Sequence, residues 1–291
     1  MATTSDNARV VKRAVLTDSD RESIGNISKA CKTVDGREFP LILGPPATHL
    51  LYAIGRQTVG YAELVDSGDM VEWWGMVHPS LRRHGAGRAL LDVAKVECRS
   101  RGRTKFIIVC VQSIESGRRF AEACDATYVS SEHRMILVRS KFSRASDFRL
   151  KMKQGSIHDI DDFVAVMVEA YSEGQEEIDR RQKDALSLYS QPGREFYLAY
   201  LETKPIGSVA TFVDQRKSQV FINAVGVIAQ YQGQGYGREI LTWLVQRLLD
   251  KEQQEKIMIE VYTHNKRAQR PYRSCGFSVE LTFEYFQLNE V

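Results

Sequence analysis

The sequence predicts a mixed α/β fold that occurs twice, in which a largely antiparallel sheet is flanked by helices. The chain has 291 residues, close to twice the ~150 residues of a typical domain. Hydrophobic residues make up 43% and charged residues 26%, which is typical of globular chains that bury a core. A shift of 150 positions aligns residues 75–94 with residues 225–244, so that Gly85 falls on Gly235. The length therefore indicates two copies of one domain.

The same order of elements is predicted in each repeat. A short strand leads into a helix, which in the second repeat spans 158–174 with apolar residues at spacings of three and four. Two apolar strands and a third strand follow, and the third ends in a glycine-rich loop and an amphipathic helix. An apolar strand at 257–262, a polar helix start and a last strand at 279–288 complete the repeat. The predicted domains are residues 8–143 and 147–291, with the junction in a polar stretch.

Charge, apolar runs and cysteine spacing exclude several classes of protein. Lys+Arg 40 against Asp+Glu 37 gives a net charge of +3, too small for a dedicated nucleic-acid binder. Apolar runs such as 106–111 are too short to span a bilayer, and the N-terminal segment lacks a secretory apolar core. We therefore expect no nucleic-acid or membrane partner and a cytoplasmic location. The five cysteines and six histidines show no metal-binding spacing, which predicts buried, reduced thiols and no metal.

A glycine-rich loop lies between a strand and a helix in both repeats. It reads QGQGYGR at 232–238 and RRHGAGR at 82–88. Glycine lets backbone N–H groups approach a ligand, and a helix N-terminus offers unpaired donors, so a phosphate site is predicted. The spacing GxGxG does not fit the GxGxxG dinucleotide fingerprint. A P-loop is excluded because Arg238 and Glu239 follow the last glycine.

The pattern (Q/R)xxGx(G/A) at both loops resembles the acetyl-CoA loop of the Gcn5-related N-acetyltransferase (GNAT) superfamily. Downstream, Asn265, Ala268, Tyr272 and Gly276 with the Phe after it stand in register with that family's second signature. The resemblance extends over both halves and implies two tandem GNAT folds. It also implies a transferase that moves an acetyl group from acetyl-CoA to a primary amine of a small molecule or a peptide N-terminus.

The resemblance implies a set of cofactor-binding residues in each half. The backbone from Val225 to Val227 would pair with the pantetheine arm, and the Val227 N–H could polarise the acetyl carbonyl. In the second half the implied residues are Val225, Gly226, Val227, Gln232, Gly233, Gln234, Gly235, Tyr236, Gly237, Arg238 and Asn265. In the first half they are Val77, Arg82, Arg83, His84, Gly85, Ala86, Gly87 and Arg88.

Tyr272 and Glu260 are the candidate catalytic residues. A phenol with a pKa of about 10 can protonate a departing thiolate, which makes Tyr272 the candidate general acid. Glu260 stands within an apolar strand, where burial would raise its pKa, and it precedes Tyr272 by the spacing found in relatives that acetylate protein N-termini. The alternatives are a packing role for Tyr272, a solvent-facing Glu260 on an alternating strand, and a helix-capping role for Asn265.

The first repeat departs from this pattern. At the repeat shift, Cys110 stands in place of Glu260, and Phe120 takes the place of Tyr272. We therefore expect the first half to be a structural or CoA-binding relic, although Glu63 or Glu72 could act as a base there. The alternative to an enzyme is a non-catalytic acyl-CoA-binding sensor or assembly module. The acceptor and the choice between monomer and dimer stay open.

Overall fold

The computed structural model describes residues 8–41, 47–67, 69–172, 174, 177–214, 218–251 and 255–289. The chain forms two compact units. Unit 1 comprises Met1–Ser131 with Thr282–Val291, and unit 2 comprises Glu132–Leu281. The predicted domains, residues 8–143 and 147–291, are sequence repeats rather than these spatial units, and their boundaries stay a prediction.

Unit 1 has a sheet with the strand order β1-β2-β3-β4-β5-β12. Its strands are β1 (Ala8–Arg13), β2 (Thr48–Ile54), β3 (Gln57–Ser67), β4 (Met70–Val77), β5 (Lys105–Val111) and the end of β12 (Phe277–Leu288). Its helices are α1 (Asp18–Asp35), α2 (Ala86–Ser100) and α3 (Glu115–Glu122). Two apolar clusters stabilise the unit, one containing α2 and β5 residues and one containing α1 residues.

Unit 2 has a sheet with the strand order β6-β11-β10-β9-β8-β7. Its strands are the end of β6 (Ala126–Leu137), β7 (Lys151–Gln154), β8 (Arg194–Leu201), β9 (Lys204–Asp214), β10 (Gln219–Val227) and β11 (Lys256–Tyr262). Its helices are α4 (Ile160–Tyr171), α5 (Glu177–Tyr189), α6 (Tyr236–Asp250) and α7 (Lys266–Ser274).

The predicted mixed sheet is confirmed in both units. The strands before the glycine loop pair antiparallel, as β8–β9–β10 and β2–β3–β4 show. The helix after the loop then leads to a parallel partner, so that β10 pairs with β11 and β4 with β5. The predicted apolar face of α6 is buried as well, at Ile240, Leu241, Leu244, Val245 and Leu248.

Each unit takes a strand from the other half of the sequence. Residues Phe283 to Gln287 of β12 pair antiparallel with β5 in unit 1. In unit 2, β11 pairs antiparallel with β6, which belongs to the first repeat. The two units therefore exchange their last strands, so that unit 1 combines two stretches of chain, whereas unit 2 is the single stretch Glu132–Leu281.

The offset between the repeats changes by one residue along the chain. It is 150 at the glycine loops, since α2 begins at Ala86 and α6 at Tyr236. It is 151 beyond those helices, since β5 begins at Lys105 and β11 at Lys256. The strand pairing agrees, because Val109 lies opposite Tyr285 and Glu260 opposite Arg134. The second repeat thus has one extra residue before its β11.

All five cysteines are buried and none forms a disulfide, as the spacing predicts. Within the described residues, no helix combines the length and the apolar composition needed to cross a bilayer.

Candidate active site

The candidate active site of unit 2 begins where β10 and β11 separate. The ladder between them ends at Ile222 and Ile259. Beyond that pair β10 has a bulge on its other edge, between Asn223 and Gly226, where Ala224 takes a left-handed backbone with a φ of 51°. The Ser208 hydroxyl donates to the Ala224 carbonyl at 3.0 Å and stabilises this conformation. A non-glycine residue in this region is strained, and such strain is common at functional sites.

The glycine loop turns the chain sharply into α6. Gly233 and Gly235 have φ values of 80° and 90°, which favour glycine. The N–H groups of the first helical turn have no intrahelical acceptor, and no side chain caps α6 at Gly235. A Cβ at Gly237 would lie no closer than 3.8 Å to Val227. The loop therefore offers free donors and an open approach, which fit a phosphate group.

The Gln232 side chain fastens the loop to its surroundings. Its Nε2 donates to the Val227 carbonyl at 2.6 Å and to the Ala170 carbonyl at 3.2 Å. These bonds connect the loop to β10 and to α4. Because the amide is engaged there, Gln232 positions the loop, and the backbone N–H groups are the donors left for a ligand.

Arg149 borders the loop, and the sequence did not predict it as a site residue. Its guanidinium lies 4.3 Å from the ring centre of Tyr236 and donates to the Gln234 carbonyl at 3.2 Å. An ion pair with Glu239 at 2.9 Å holds it. It places a guanidinium, balanced by Glu239, beside the first turn of α6. Nothing in the local pattern signals this, because Arg149 is 85 residues from Gln234 and outside both motifs.

Tyr272 lies on α7 and is 6% exposed. Burial raises the pKa of its phenol, so the hydroxyl stays protonated at physiological pH. It makes no hydrogen bond to any residue that the structure describes. The Oδ1 of Asn265 accepts from the Ala268 N–H at 3.0 Å and caps α7. Asn265 thus has the capping role that the sequence left open.

Gly276 fixes the end of the α7 motif. Its φ is 89°, and a Cβ there would lie 3.0 Å from the backbone of Lys141 and Phe142. Only glycine meets both conditions. The signature residues therefore hold α7, and with it Tyr272, against the core of unit 2.

The expected burial of Glu260 is wrong. The side chain is 36% exposed and forms an ion pair with Arg134 on β6 at 2.8 Å. Alternation along β11 explains this, because Ile259 and Val261 face the core and Glu260 faces the other way. Arg134 was not predicted, since it reaches the site only through the strand exchange. Glu260 is therefore an accessible carboxylate held by a cation.

A family model described as the acetyltransferase (GNAT) family matches residues 18–125 and 160–277. The two matches together exceed half of the chain. The chain belongs to the acetyltransferase (GNAT) family.

Three relatives agree with this assignment. A protein named mycothiol acetyltransferase, from Streptomyces scabiei (strain 87.22), is 26% identical over 288 residues and 92% of each chain is covered. A GCN5-related N-acetyltransferase from Sphaerobacter thermophilus superposes with a TM-score of 0.74 at 18% identity, covering 96% of this chain and 95% of that one. A tandem GNAT protein from the clavulanic acid biosynthesis pathway has a TM-score of 0.73 at 16% identity, covering 97% and 98%. The two structures show the fold, a GNAT domain in tandem.

The first GNAT domain lacks both candidate catalytic groups. The residues that correspond to Glu260 and Tyr272 are, however, not the ones predicted. Because the offset is 151 in this region, Val109 rather than Cys110 corresponds to Glu260. Matching backbone bonds end the two helices, since the Asp125 N–H donates to the Glu122 carbonyl and the Gly276 N–H to the Arg273 carbonyl. Tyr272 therefore corresponds to Ala121 rather than Phe120. The predicted equivalences were wrong by one residue. A hydroxyl and a carboxylate are nevertheless absent from these two described positions.

Aromatic rings fill the space beside the first loop. Trp73 and Phe120 stack with their ring centres 5.5 Å apart. A Cβ at Gly75 would lie 2.5 Å from Trp73, and one at Gly87 would lie 2.9 Å from Phe120. The matching position in the second GNAT domain, Gly237, is open. The rings therefore occupy the approach that the second domain leaves free.

Polar side chains near the first loop are already engaged. Arg82 donates to both carboxylate oxygens of Asp35, at 2.8 and 2.6 Å, and to the Val77 carbonyl at 3.2 Å. Glu63 is fully buried and accepts from the Tyr61 hydroxyl at 3.0 Å. Glu72 accepts from the Trp74 indole at 3.1 Å. Glu260, by contrast, is 36% exposed.

Proposed function

We propose that this GNAT chain transfers an acetyl group from acetyl-CoA to a primary amine, with unit 2 as its catalytic unit. One observation carries the proposal. In unit 2 the uncapped first turn of α6, the opened edge of β10 and the buried phenol of Tyr272 occur together. In unit 1 the corresponding space is filled by Trp73 and Phe120.

The residues of unit 2 fit acetyl-CoA, whose thioester supplies the acetyl group. The N–H groups of Gly233–Arg238 would hold the pyrophosphate at the positive end of α6. The separated edge of β10, from Val225 to Val227, would pair with the amides of the pantetheine arm, and the Val227 N–H would face the thioester carbonyl. Arg149, held by Glu239, would support the loop through its bond to the Gln234 carbonyl.

Two side chains would move protons. Tyr272 holds a proton in an apolar environment, and a departing thiolate is a base strong enough to take it. Glu260 is the proposed general base, which would accept a proton from the attacking amine on the open face of β11. Arg134 would orient that carboxylate.

We further propose that the first loop keeps only a phosphate site. Gly85 has a φ of 88°, no side chain caps α2, and Arg83 matches Gly233 with a φ of 68°. The backbone from Val77 through Arg82–Arg88 therefore has the same form as the second loop. Because Trp73 and Phe120 fill the adjacent space, we expect CoA binding there to be weak and without turnover.

A thiol-release assay tests the proposed function. Acetyl-CoA is incubated with the full chain and a panel of amine classes, which includes small amines, aminoglycosides, amino-sugar thiol precursors and peptide N-termini. The name of the Streptomyces relative recommends the thiol precursors as one class. Thiol release with one class, lost in Tyr272→Phe, supports the proposal. Acetyl-CoA binding without thiol release for any class supports the non-catalytic acyl-CoA-binding alternative instead.

The substitution Gly237→Ala is expected to weaken acetyl-CoA binding without loss of stability. A Cβ there meets only Val227, at 3.8 Å, and alanine favours the helix. The methyl group would nevertheless stand where the pyrophosphate must approach the protein backbone. We therefore expect KM for acetyl-CoA to rise by about 10-fold or more. Steady-state kinetics and thermal melting measure the two effects.

Gly25→Ala on α1 is the matched control, since a Cβ at Gly25 meets nothing within 4 Å. It should leave KM unchanged. An unchanged KM in Gly237→Ala as well would contradict binding at the first turn of α6.

The substitution Glu260→Gln is expected to lower kcat/KM by about 10²-fold, because an amide cannot accept the proton of the amine. The rate should recover partly at high pH, where the acceptor amine is already neutral. Glu280→Gln serves as control, since it breaks a comparable surface ion pair with Lys256, at 3.1 Å. Equal rates in the two variants would remove Glu260 from the mechanism.

A further inference from the structure

Unit 2 contains a cavity that shares no residue with the proposed acetyl-CoA site. It has a volume of about 230 Å³ and lies between the segment before α4, the end of α5 and the start of β8. Its wall includes Ser156, Ile160, Tyr189, Arg194 and Phe196. The mechanism proposed above uses none of these side chains.

Arg194 forms no ion pair with any described residue, and the one carboxylate of the cavity wall, Glu195, pairs with Lys251. The Arg194 Nε is buried and has no hydrogen-bond partner, and the part of the chain that the structure describes provides no carboxylate for it. The guanidinium carbon lies 4.3 Å from the ring centre of Phe212. Burial lowers the pKa of Arg194, which agrees with a missing anion. A half-buried charge without a partner is costly, so a ligand that pairs with it would be favoured.

Tyr189 provides a second unpaired donor in the same wall. Its hydroxyl makes no hydrogen bond within the described ranges, and it interacts electrostatically with Arg194. The other polar side chains of the wall are engaged, since Glu195 accepts from the Tyr197 hydroxyl and pairs with Lys251, and Gln154 accepts from Arg247 at 3.3 Å. Ser156 bonds to Asp159 at 2.8 Å, and the Ser190 hydroxyl donates to the Leu186 carbonyl at 2.6 Å. Two donors, one of them charged, are therefore left for a ligand.

Packed aromatic rings support the cavity wall and define its shape. Tyr189, Phe163 and Phe196 form a ring cluster with centre distances of 4.6 to 5.3 Å. A Cβ at Gly155 would overlap the Phe196 ring at 1.9 Å, so glycine is required for the chain to pass there. Ile157, which is 52% exposed, adds apolar surface to the wall, and inorganic phosphate would leave that surface uncovered. A ligand with a flat apolar body and one anionic group matches both parts of the wall.

We propose that this cavity binds a small aromatic carboxylate, whose carboxylate pairs with Arg194 and accepts from the Tyr189 hydroxyl while its ring packs on the apolar part of the wall at Ile157. The guanidinium can donate two parallel hydrogen bonds to a carboxylate. The proposal is independent of the acetyl-transfer function, because the two sites have no residue in common.

Calorimetric titration of the full chain with sodium benzoate tests the proposal, with benzamide as an uncharged analogue and inorganic phosphate as a second anion. We expect benzoate alone to bind and to raise the melting temperature. Arg194→Met should weaken benzoate binding by about 10–100-fold, and Tyr189→Phe by about 3–10-fold. Arg56→Met, at an exposed arginine in the turn before β3, is the matched control and should bind benzoate normally.

Three results would overturn the proposal: no benzoate binding, equal binding of benzamide or phosphate, or unchanged affinity in Arg194→Met. If Arg194→Met does not fold, the comparison of ligands on the wild-type protein and the Tyr189→Phe variant decide the question without it.

Discussion

The substitution Tyr272→Phe is expected to lower kcat by about 10²–10³-fold with little change in acetyl-CoA affinity. The phenol is the proposed proton donor to the departing thiolate, and phenylalanine has no proton to give. Tyr272 is buried and its hydroxyl has no partner among the described residues. Removing the oxygen should therefore leave packing intact. Stopped-flow or steady-state thiol release, with calorimetry for acetyl-CoA binding, separates the two quantities.

Tyr128→Phe is the matched control, because this tyrosine is 52% exposed in unit 1. Its rate should equal that of the wild type. A normal kcat in Tyr272→Phe would leave Tyr272 as a packing residue and require another acid.

The substitution Phe283→Ala is expected to destabilise unit 1 by about 3–5 kcal/mol, although Phe283 belongs to the second repeat. Phe283 is fully buried, lies opposite Val111 in the sheet, and packs with its ring centre 5.3 Å from that of Trp74. Hydrogen exchange should therefore accelerate in β5, while β11 in unit 2 stays protected.

Phe221→Ala is the comparison variant and should accelerate hydrogen exchange in unit 2 rather than in unit 1. Phe221 is half-buried on β10 and stacks with Phe212 at 6.3 Å, so its loss should be smaller and confined to unit 2. If Phe283→Ala accelerates exchange in β11 as much as in β5, the division into these units is incorrect.

Much of the fold could be predicted because local signals determine it. The spacing of apolar residues predicts α4 and α6, and the glycine loop marks the change from antiparallel to parallel pairing. The exposure of Glu260 follows from the alternation along β11, which the sequence allowed as one of two readings.

The strand exchange and the change of offset could not be read from the sequence. Strands β6 and β12 follow corresponding helices, so either could pair with β5 or β11. Which pairing forms depends on tertiary contacts such as that of Phe283 with Trp74. The apolar runs at 106–111 and 256–261 also align at an offset of 150, and the strand bounds together with the pairing with Arg134 and Tyr285 show that the offset is 151.

The exchanged strands also affect the order in which the chain can fold during synthesis. Gln112, next to β5, and its partner Glu284 are 172 residues apart. At about 5–20 residues per second, the ribosome needs roughly 10–30 s to make the intervening chain. For that time the edge of β5 has no native strand beside it, and an open edge invites pairing with other chains. The unit whose residues are made first is thus the one that is completed last.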